Sequence, residues 1–388
     1  MNTTSLAAWL MALTALVLPP QPLRSPVPLT GPEQAVKNAL QKLVAAEDDA
    51  VLTCNRTQLL AVFAPSAHHA MQEAFKREKY LSAWANARQV RFESVKVSIR
   101  TPGIRFAAHH RVHVFAVVSE QYRMQSRLSP RQSDTFGLGI RHDYVLESLN
   151  GQWRIQSDDF TDPLNQDTRV PGPVQPAAEG SGGQHNDSPG AVSNPAVTYA
   201  NHYCGAAPGC GNGGRYNPRY VDYNGEGGDC TNFISQALAA AGFRQTQAWE
   251  YSWRHGEGSP AWANARRFKE FMEDSGRATL LAHGSYAQLT SPSARFLQGA
   301  ASALRPGDLI SYHEQGRTVH TAIVVGFDRF GYPVVDTHTA DRFRVPWDLG
   351  WDRHTLYDFW KVHYPAPKPG AGFTPAHPTR VSRAQAPS

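Results

Sequence analysis

The stretch "GEGGDCTNFISQALAAAG", Gly225 to Gly242, sets one cysteine between a glycine-rich turn and a helix-like pattern. Apolar residues after Cys230 recur at the spacing of one helix face; they are Phe233, Ile234, Ala237, Leu238 and Ala241. Gly242 is a residue type that commonly ends a helix. The stretch therefore predicts a helix that begins at or next to Cys230 and buries one face.

The position of Cys230 at a helix start bears on its chemistry. Asp229, Thr231 and Asn232 suit the first turn of a helix. Unpaired N–H groups and the helix dipole favour negative charge there, so the pKa of a thiol can fall below its ordinary value of about 8.5. Two interpretations follow: an ionised nucleophile, or a small packed residue without reactivity.

A nucleophilic thiol needs a base, and the stretch "LRPGDLISYHEQGRTVHTAIVVGFDRFGYPVVDTHTADRF", residues 304–343, supplies candidates. It predicts three short strands, with His320 at the start of the central one and a turn near Phe330. The pairing across that turn puts His338 on the same face as His320, within about 5 to 8 Å, and Asp336 one repeat further away. A cysteine, a histidine base and a polar group that orients the base form a hydrolytic triad.

These motifs resemble a known family. "GGDCTNFISQAL", followed by "PGDLISYHEQGRTVHTAIVVGF" and "VVDTHTADRF", is similar to the putative amidase domain family of bacterial, often exported, papain-like cysteine hydrolases. The similarity spans roughly residues 197–364. It implies an α+β, papain-like catalytic domain in which the helix bearing the cysteine packs on an antiparallel sheet.

The resemblance also implies a role for each motif residue. Cys230 would be the nucleophile, His320 the general base and then the acid, and a polar residue on the next strand the orienting group, with His338 the first choice and Asp336 the second. Asn224 stands six residues before the cysteine, as in the papain arrangement, and would help to stabilise the oxyanion. No cofactor and no metal ion are expected.

The rest of the chain divides by composition. Its 388 residues are enough for two cores. Residues 31–162 pass from helical to period-two spacing and predict a smaller α+β accessory domain, with helices first and a curved sheet after them. That order of elements resembles the nuclear-transport-factor or cystatin type. The pair Asn150 and Gly151 predicts a tight hairpin turn between two of its strands.

Three further segments complete the expected organisation. Residues 163–196 are rich in Pro, Gly and Ser and predict a linker. Residues 197–365 form the expected papain-like amidase domain. Residues 366–388 are basic and rich in proline, which predicts a disordered tail.

The first 30 residues predict a signal peptide or hydrophobic leader. The apolar run from Leu6 to Leu18 is too short to cross a bilayer. We therefore expect a secreted or cell-envelope protein with no stable membrane span after processing. The formal charge of +5 comes without a compact basic and aromatic run, so we expect no nucleic-acid partner but an amide or peptide substrate, with peptidoglycan-derived peptides as candidates.

The four cysteines leave their pairing open. Cys204 and Cys210 flank a flexible loop and could close a small disulfide ring in an oxidising compartment. Cys54 and Cys230 would then be free or bridged to each other between the two domains. That bridge would exclude Cys230 as a nucleophile.

Two alternative functions use the same residues differently. In the first, a metal-dependent hydrolase binds its ion through His320, His338 and Asp336, and Cys230 is structural. In the second, a papain-like scaffold without catalytic activity serves as a surface-binding module. His283 has no partner at metal-ligand spacing along the sequence.

Overall fold

The computed structural model describes residues 31–53, 55–108, 110–160, 162 and 194–366. The predicted leader lies outside the described residues. So do Cys54, nearly all of the predicted linker and residues 367–388 of the predicted tail. Among the helices that are described, none combines the length and the hydropathy that crossing a membrane requires.

The helix predicted from the opening stretch is present and begins at Cys230. It ends at Ala240, and Gly242 follows with a φ of 92°, a left-handed conformation that favours glycine. The α-helices of the described residues are α1 (Gly31–Thr53), α2 (Arg56–Leu60), α3 (His68–Ala87), α4 (Pro195–Tyr203), α5 (Cys230–Ala240), α6 (Pro260–Ala263), α7 (Ala265–Asp274) and α8 (Tyr286–Thr290).

The strands form one large sheet and one short hairpin. They are β1 (Val90–Ala107), β2 (Arg111–Ser126), β3 (Ser133–Leu149), β4 (Gln152–Phe160), β5 (Tyr251–Ser252), β6 (Glu257–Gly258), β7 (Ala278–Ser285), β8 (Leu309–Glu314), β9 (Arg317–Phe327), β10 (Pro333–Thr337), β11 (Asp341–Pro346) and β12 (Leu356–Val362). The large sheet has the order β1-β2-β3-β11-β10-β9-β8-β12-β7, with β4 paired to β3, and its pairs are antiparallel. The predicted α+β class is confirmed.

The amino-terminal half has its helices before its strands in the chain, as predicted. Apolar residues of α1, such as Leu40 and Val44, share a buried core with Val114 of β2 and Leu146 of β3. Apolar residues alternate along the strands and recur at helical spacing along α1, so each element buries one face. The predicted hairpin between β3 and β4 is confirmed, because Asn150 and Gly151 both have positive φ angles, 50° and 77°.

The second half builds two cores on opposite faces of its strands. Phe233 of α5 is fully buried in one core together with Ile323 of β9 and Val334 of β10. We call this side the α5 face. The neighbouring strand residues Val324 and Val335 lie in the other core, together with Trp347, and we call that side the Trp347 face.

The two halves share one continuous sheet. Strand β11 pairs with β3, and Asp341 lies opposite Gly139. A core cluster spans the same junction, with Trp84 of α3 among its members on one side and Val345 and Leu349 on the other. Residues before and after the predicted linker therefore pack as neighbours.

Candidate active site

Cys230 is the first residue of α5 and has a free thiol that is 8% exposed. The described disulfide joins Cys204 to Cys210. The interdomain bridge that would have excluded Cys230 as a nucleophile is therefore not formed.

Burial decides the protonation of the Cys230 thiol. It raises the pKa, and hydrogen bonds from the Thr231 hydroxyl and the Thr321 backbone N–H only partly offset that effect. The sulfur lies 3.7 Å from the Thr231 hydroxyl oxygen. Burial therefore favours the protonated thiol, because desolvation disfavours the charged form, whereas the helix start in the sequence favours an ionised one.

His320 lies in β9 with its ring largely buried. The rings of Tyr312 and Trp351 pack beside it, with centroid distances of 5.4 and 5.5 Å. Burial, with a smaller contribution from the Arg342 guanidinium, lowers the pKa of His320 to about 3. The imidazole is therefore neutral near pH 7 and has one unprotonated nitrogen.

The hydroxyl of Thr337 determines which nitrogen of His320 is unprotonated. Thr337 Oγ1 lies 3.1 Å from His320 Nε2, and its proton goes to a backbone oxygen, that of Thr321 at 2.9 Å or that of His338 at 3.3 Å, since both can only accept. A hydroxyl has only one proton, so Oγ1 accepts from Nε2–H. The lone pair of the neutral ring is then on Nδ1, which is the nitrogen available as a base.

The backbone of Thr321 connects the two candidate reactive groups. Its N–H bonds to the sulfur of Cys230, and its C=O accepts from the Thr337 hydroxyl that contacts His320. In the part of the chain that the structure describes, no hydrogen bond joins the sulfur directly to the imidazole. Catalytic hydrogen bonds are often long without substrate and tighten in the complex.

His338 does not orient His320, contrary to the first choice from the sequence. Its Nδ1 bonds to Asp229 Oδ2, and its Nε2 bonds to the backbone oxygen of Tyr203, both at 2.6 Å. Its ring stacks on Phe233 of α5 at a centroid distance of 4.0 Å. His338 therefore fixes the start of α5 and leaves neither ring nitrogen for the base.

Asp336, the second choice, does not orient His320 either. Its side chain is fully buried, and its Oδ1 accepts the backbone N–H of Arg344 at 2.7 Å. Burial raises the pKa of Asp336 to about 7, although the Arg344 N–H partly offsets this. Its position opposite Ile323 of β9 puts it on the α5 face, whereas His320, opposite Tyr312 of β8, lies on the Trp347 face.

A register shift explains both corrections. The pairing of β10 with β9 shifts by one residue after Val334. An uninterrupted register places His320 on one face with Asp336 and His338, whereas a one-residue shift turns the following side chains to the other face. The residue that reaches His320 is therefore Thr337, which the sequence analysis missed.

Asp229 precedes the cysteine at the N-cap position, but its side chain does not cap α5. Its Oδ1 accepts from Asn232 Nδ2 at 2.8 Å and from the Tyr223 N–H at 3.1 Å. Its Oδ2 is the partner of His338. Asp229 is thus part of a buried network, and its charge contributes to the raised pKa of the Cys230 thiol.

Asn224, the candidate oxyanion donor, lies in a short 3-10 helix, Asn224–Glu226. Its Nδ2 donates to the Tyr216 hydroxyl at 3.0 Å and to Asp222 Oδ1 at 2.5 Å. No hydrogen bond from this amide to Cys230 occurs among the described residues. Its role in catalysis stays a prediction.

The metal-ligand set of the alternative hydrolase is not assembled. His320 contacts the Thr337 hydroxyl, while His338 bonds on the α5 face to Asp229. Across the described ranges a different group brings its ligand atoms together, and it consists of His283, His313 and Asp358. These three residues are far apart in the sequence, so the spacing along the chain did not indicate the group.

One family model matches the region of the chain that contains this site. The family model described as "putative amidase domain" matches residues 192–359. This region, which is less than half of the chain, is similar to that family. The amidase region contains Cys230, His320 and Thr337, and its family description supports hydrolase activity.

One relative matches part of the chain. It is the uncharacterized protein YhbB of Bacillus subtilis, which is 30% identical over 140 residues. The match covers 32% of this chain and 37% of that protein. The chain thus spans little more than a third of this relative, whose name states no activity.

Solved structures are similar over about a third of the chain's length. A putative scytalone dehydratase from Novosphingobium aromaticivorans is 13% identical and covers 37% of this chain and 96% of its own, with a TM-score of 0.24. A protein of unknown function with a cystatin-like fold from Nostoc punctiforme is 12% identical, with coverages of 34% and 93% and a TM-score of 0.21. Scores this low support no conclusion about the chain.

Proposed function

We propose that the amidase region is a papain-like, cysteine-dependent amide hydrolase. Cys230 is the nucleophile, His320 Nδ1 is the general base and then the acid, and Thr337 orients the imidazole. The observation that carries this proposal is the arrangement around Thr321, whose backbone bonds to the free thiol on one side and to the Thr337 hydroxyl on the other. This arrangement supports a nucleophile and a tautomer-fixed base that act beside Thr321, provided that His320 Nδ1 reaches the thiol when substrate binds.

The proposed reaction begins with two neutral partners. The Cys230 proton moves to His320 Nδ1 as the sulfur attacks the amide carbonyl, and the carbonyl π electrons move to its oxygen. When the tetrahedral intermediate collapses, the C–N bond breaks and Nδ1–H protonates the leaving amine. A thioester to Cys230 remains.

Water completes the cycle. Nδ1 of His320 accepts a proton from water as the water oxygen attacks the thioester carbon. The C–S bond then breaks, the sulfur recovers the proton from Nδ1, and the acid product leaves. Thr337 accepts from Nε2–H throughout, so the ring keeps Nδ1 directed at the reaction.

The oxyanion needs donors aimed at the position where charge develops. The backbone N–H of Cys230, at the start of α5, is one candidate. Asn224 is the second, provided that its amide leaves its present bonds to Tyr216 and Asp222 when substrate binds.

Export and a cell-wall substrate are part of the same proposal. The Cys204–Cys210 disulfide supports an oxidising compartment outside the cytosol. The apolar run of residues 6–18 supports export, and amide bonds of peptidoglycan-derived peptides are chemically suitable substrates. The amino-terminal half is proposed as an accessory domain to the amidase region.

The test incubates the wild type, Cys230→Ala and His320→Ala with purified peptidoglycan and a peptide library, with mass spectrometry of the products. His255→Ala, at an exposed histidine, is the matched control. We expect both site variants to lose hydrolysis and the control to keep it. Iodoacetamide should modify Cys230 slowly in the wild type, because the thiol is buried and its pKa is raised.

Two results would contradict the proposal. Full activity of Cys230→Ala with loss on chelation would identify a metal-dependent hydrolase. A folded wild type with an unreactive thiol and no hydrolysis of any amide would identify a binding module.

A further inference from the structure

Three side chains outside the Cys230 site converge at the edge of the large sheet. His283, Asp358 and His313 lie on β7, β12 and β8, which are adjacent strands in that order. Asp358 pairs directly with His283, and His313 pairs with Leu356, two residues away on β12. The sheet therefore holds these side chains together independently of any ion.

The distances are those of a compact ligand group. Asp358 Oδ1 lies 2.6 Å from His283 Nδ1, and Asp358 Oδ2 lies 2.8 Å from His313 Nε2. One ligand atom from each residue falls within 4.8 Å of the other two. A four-coordinate zinc ion requires ligands about 2.0 to 2.2 Å from the metal, and small side-chain rotations bring these atoms to that separation.

The charge of the group also suits a cation. The Asp358 carboxylate lies between the two imidazoles, with Oδ1 facing His283 and Oδ2 facing His313. Two imidazole nitrogens with one carboxylate form a donor set typical of zinc and related ions.

A threonine hydroxyl contacts the ring nitrogen of His313 that points away from Asp358. Thr318 Oγ1 of β9 lies 3.2 Å from His313 Nδ1, the nitrogen that does not face Asp358. A metal-ligating histidine commonly donates its second N–H to such a group, which fixes its tautomer. Thr318 can accept from Nδ1–H and so leave the lone pair of Nε2 for a metal ion.

We propose that His283 Nδ1, His313 Nε2 and the Asp358 carboxylate bind one divalent transition-metal ion of the zinc class. The side chain of His283 is 52% exposed, so the fourth coordination position faces solvent and can take water. The ion would link the edge strand β7 to β12 and β8. This site is separate from Cys230 and does not enter the proposed hydrolysis.

One lysine provides a specific prediction for this site. Lys269 Nζ of α7 lies 3.5 Å from Asp358 Oδ2 and 3.9 Å from Glu273 Oε2. Its ammonium group repels a bound cation and can move to Glu273 when the ion enters. Lys269→Gln should therefore bind the ion several-fold more tightly than the wild type.

The experiment uses the full chain without a histidine tag. Zn²⁺ affinity is measured by competition with a chromogenic chelator, and Co²⁺ binding by its visible absorption spectrum. We expect one equivalent of metal and a four- or five-coordinate Co²⁺ spectrum without sulfur charge-transfer bands. Ala at His283 or His313, or Asn at Asp358, should weaken binding more than tenfold.

Matched variants separate this site from the proposed active site. His255→Ala and Cys230→Ser should keep the wild-type affinity, and Thr318→Val should lose about tenfold. Unchanged affinity in His283→Ala and Asp358→Asn, or no stoichiometric binding by the wild type, would overturn the proposal. Loss of the ion in Cys230→Ser would assign the metal to the thiol site instead.

Discussion

The Thr337 hydroxyl is the acceptor for the only ring N–H of neutral His320. Thr337→Val keeps the shape of the side chain and removes the acceptor, so it leaves Nε2–H buried without a partner and the tautomer free to change. We expect kcat/KM to fall by about tenfold to a hundredfold, largely in kcat. Steady-state kinetics with the substrate found for the wild type measures this.

Thr337→Ser is the matched control, because serine restores the hydroxyl. It should retain activity within a few-fold of the wild type and keep the wild-type free energy of unfolding within about 1 kcal/mol, whereas the valine variant should lose about 1 to 3 kcal/mol because a buried N–H is left without a partner. Equal activity of the valine variant and the wild type would mean that another group orients the ring.

The depressed pKa of His320 has a consequence for stability against pH. Its value of about 3 in the folded protein lies below the ordinary value of 6.5, because burial disfavours the imidazolium. Between those values the unfolded chain binds a proton that the folded chain does not bind. The free energy of unfolding therefore rises with pH across this interval and levels off above it.

His320→Asn removes this titration. From pH 4 to 6 the wild-type free energy of unfolding should increase more steeply than that of the variant, by about 1.4 kcal/mol per pH unit. Urea unfolding at several pH values measures both slopes. Parallel curves would mean that the imidazole is protonated as easily in the folded protein as in the unfolded chain.

At the scale of elements, α5 could be predicted from sequence, whereas the register of β10 could not. The apolar spacing after Cys230 and the glycine that follows the helix are local features. The shift after Val334 depends on how two strands pair, and no residue type in "PVVDT" requires it. Because of this one shift, the side chain beside His320 is that of Thr337 and not that of His338 or Asp336.

His338 connects three elements at the start of α5. Its bonds to Asp229 and to the Tyr203 backbone oxygen join the end of β10 to α5 and to the end of α4. The Tyr203 oxygen can only accept, so Nε2 of His338 donates to it, while Nδ1 bonds to Asp229 Oδ2.

His338→Ala should destabilise the protein strongly. It leaves the Asp229 carboxylate buried without its imidazole partner and opens a cavity beside Phe233, which together cost about 3 to 5 kcal/mol. Chemical denaturation measures the loss, and the exposed His255→Ala should stay within about 0.5 kcal/mol of the wild type. A loss below 1 kcal/mol in His338→Ala would show that the pair does not stabilise the start of α5.

At the scale of the whole molecule, the sequence predicts both halves but not their junction. The composition of residues 163–196 indicates a linker, and the helix-then-strand order of residues 31–162 is visible in the spacing of apolar residues. The pairing of β3 with β11 joins positions about 200 residues apart. The spacing of residues within a short stretch of sequence does not indicate which distant strand that stretch pairs with.

Two strand glycines allow this junction to form. An added Cβ on Gly139 would lie 2.7 Å from the carbonyl carbon of Ala206 and 2.8 Å from the backbone nitrogen of Ala207, inside the disulfide-closed loop. A Cβ on Gly137 would meet the backbone of Pro208. The loop therefore packs directly on the backbone of β3, where a side chain would separate the halves.

Gly139→Ala in the full chain tests whether the junction stabilises both halves together. Overpacking against backbone should lower the free energy of unfolding by about 1 to 3 kcal/mol. Gly103→Ala, on β1, is the matched control, because its Cβ would meet nothing nearer than Phe115 Cβ at 3.8 Å. Chemical denaturation measures the free energy of unfolding of both variants, and Gly139→Ala should have the lower value.

Hydrogen exchange read by mass spectrometry then locates the effect. If the halves unfold as one cooperative unit, Gly139→Ala accelerates exchange in β1–β4 and in β8–β12 alike, because the core containing Trp84, Val345 and Leu349 belongs to both. Acceleration confined to β3 and residues 206–208 would show two independently stable domains joined at an interface. In that case the start of α5 and its thiol would keep wild-type protection, and the amidase region could be studied without the amino-terminal half.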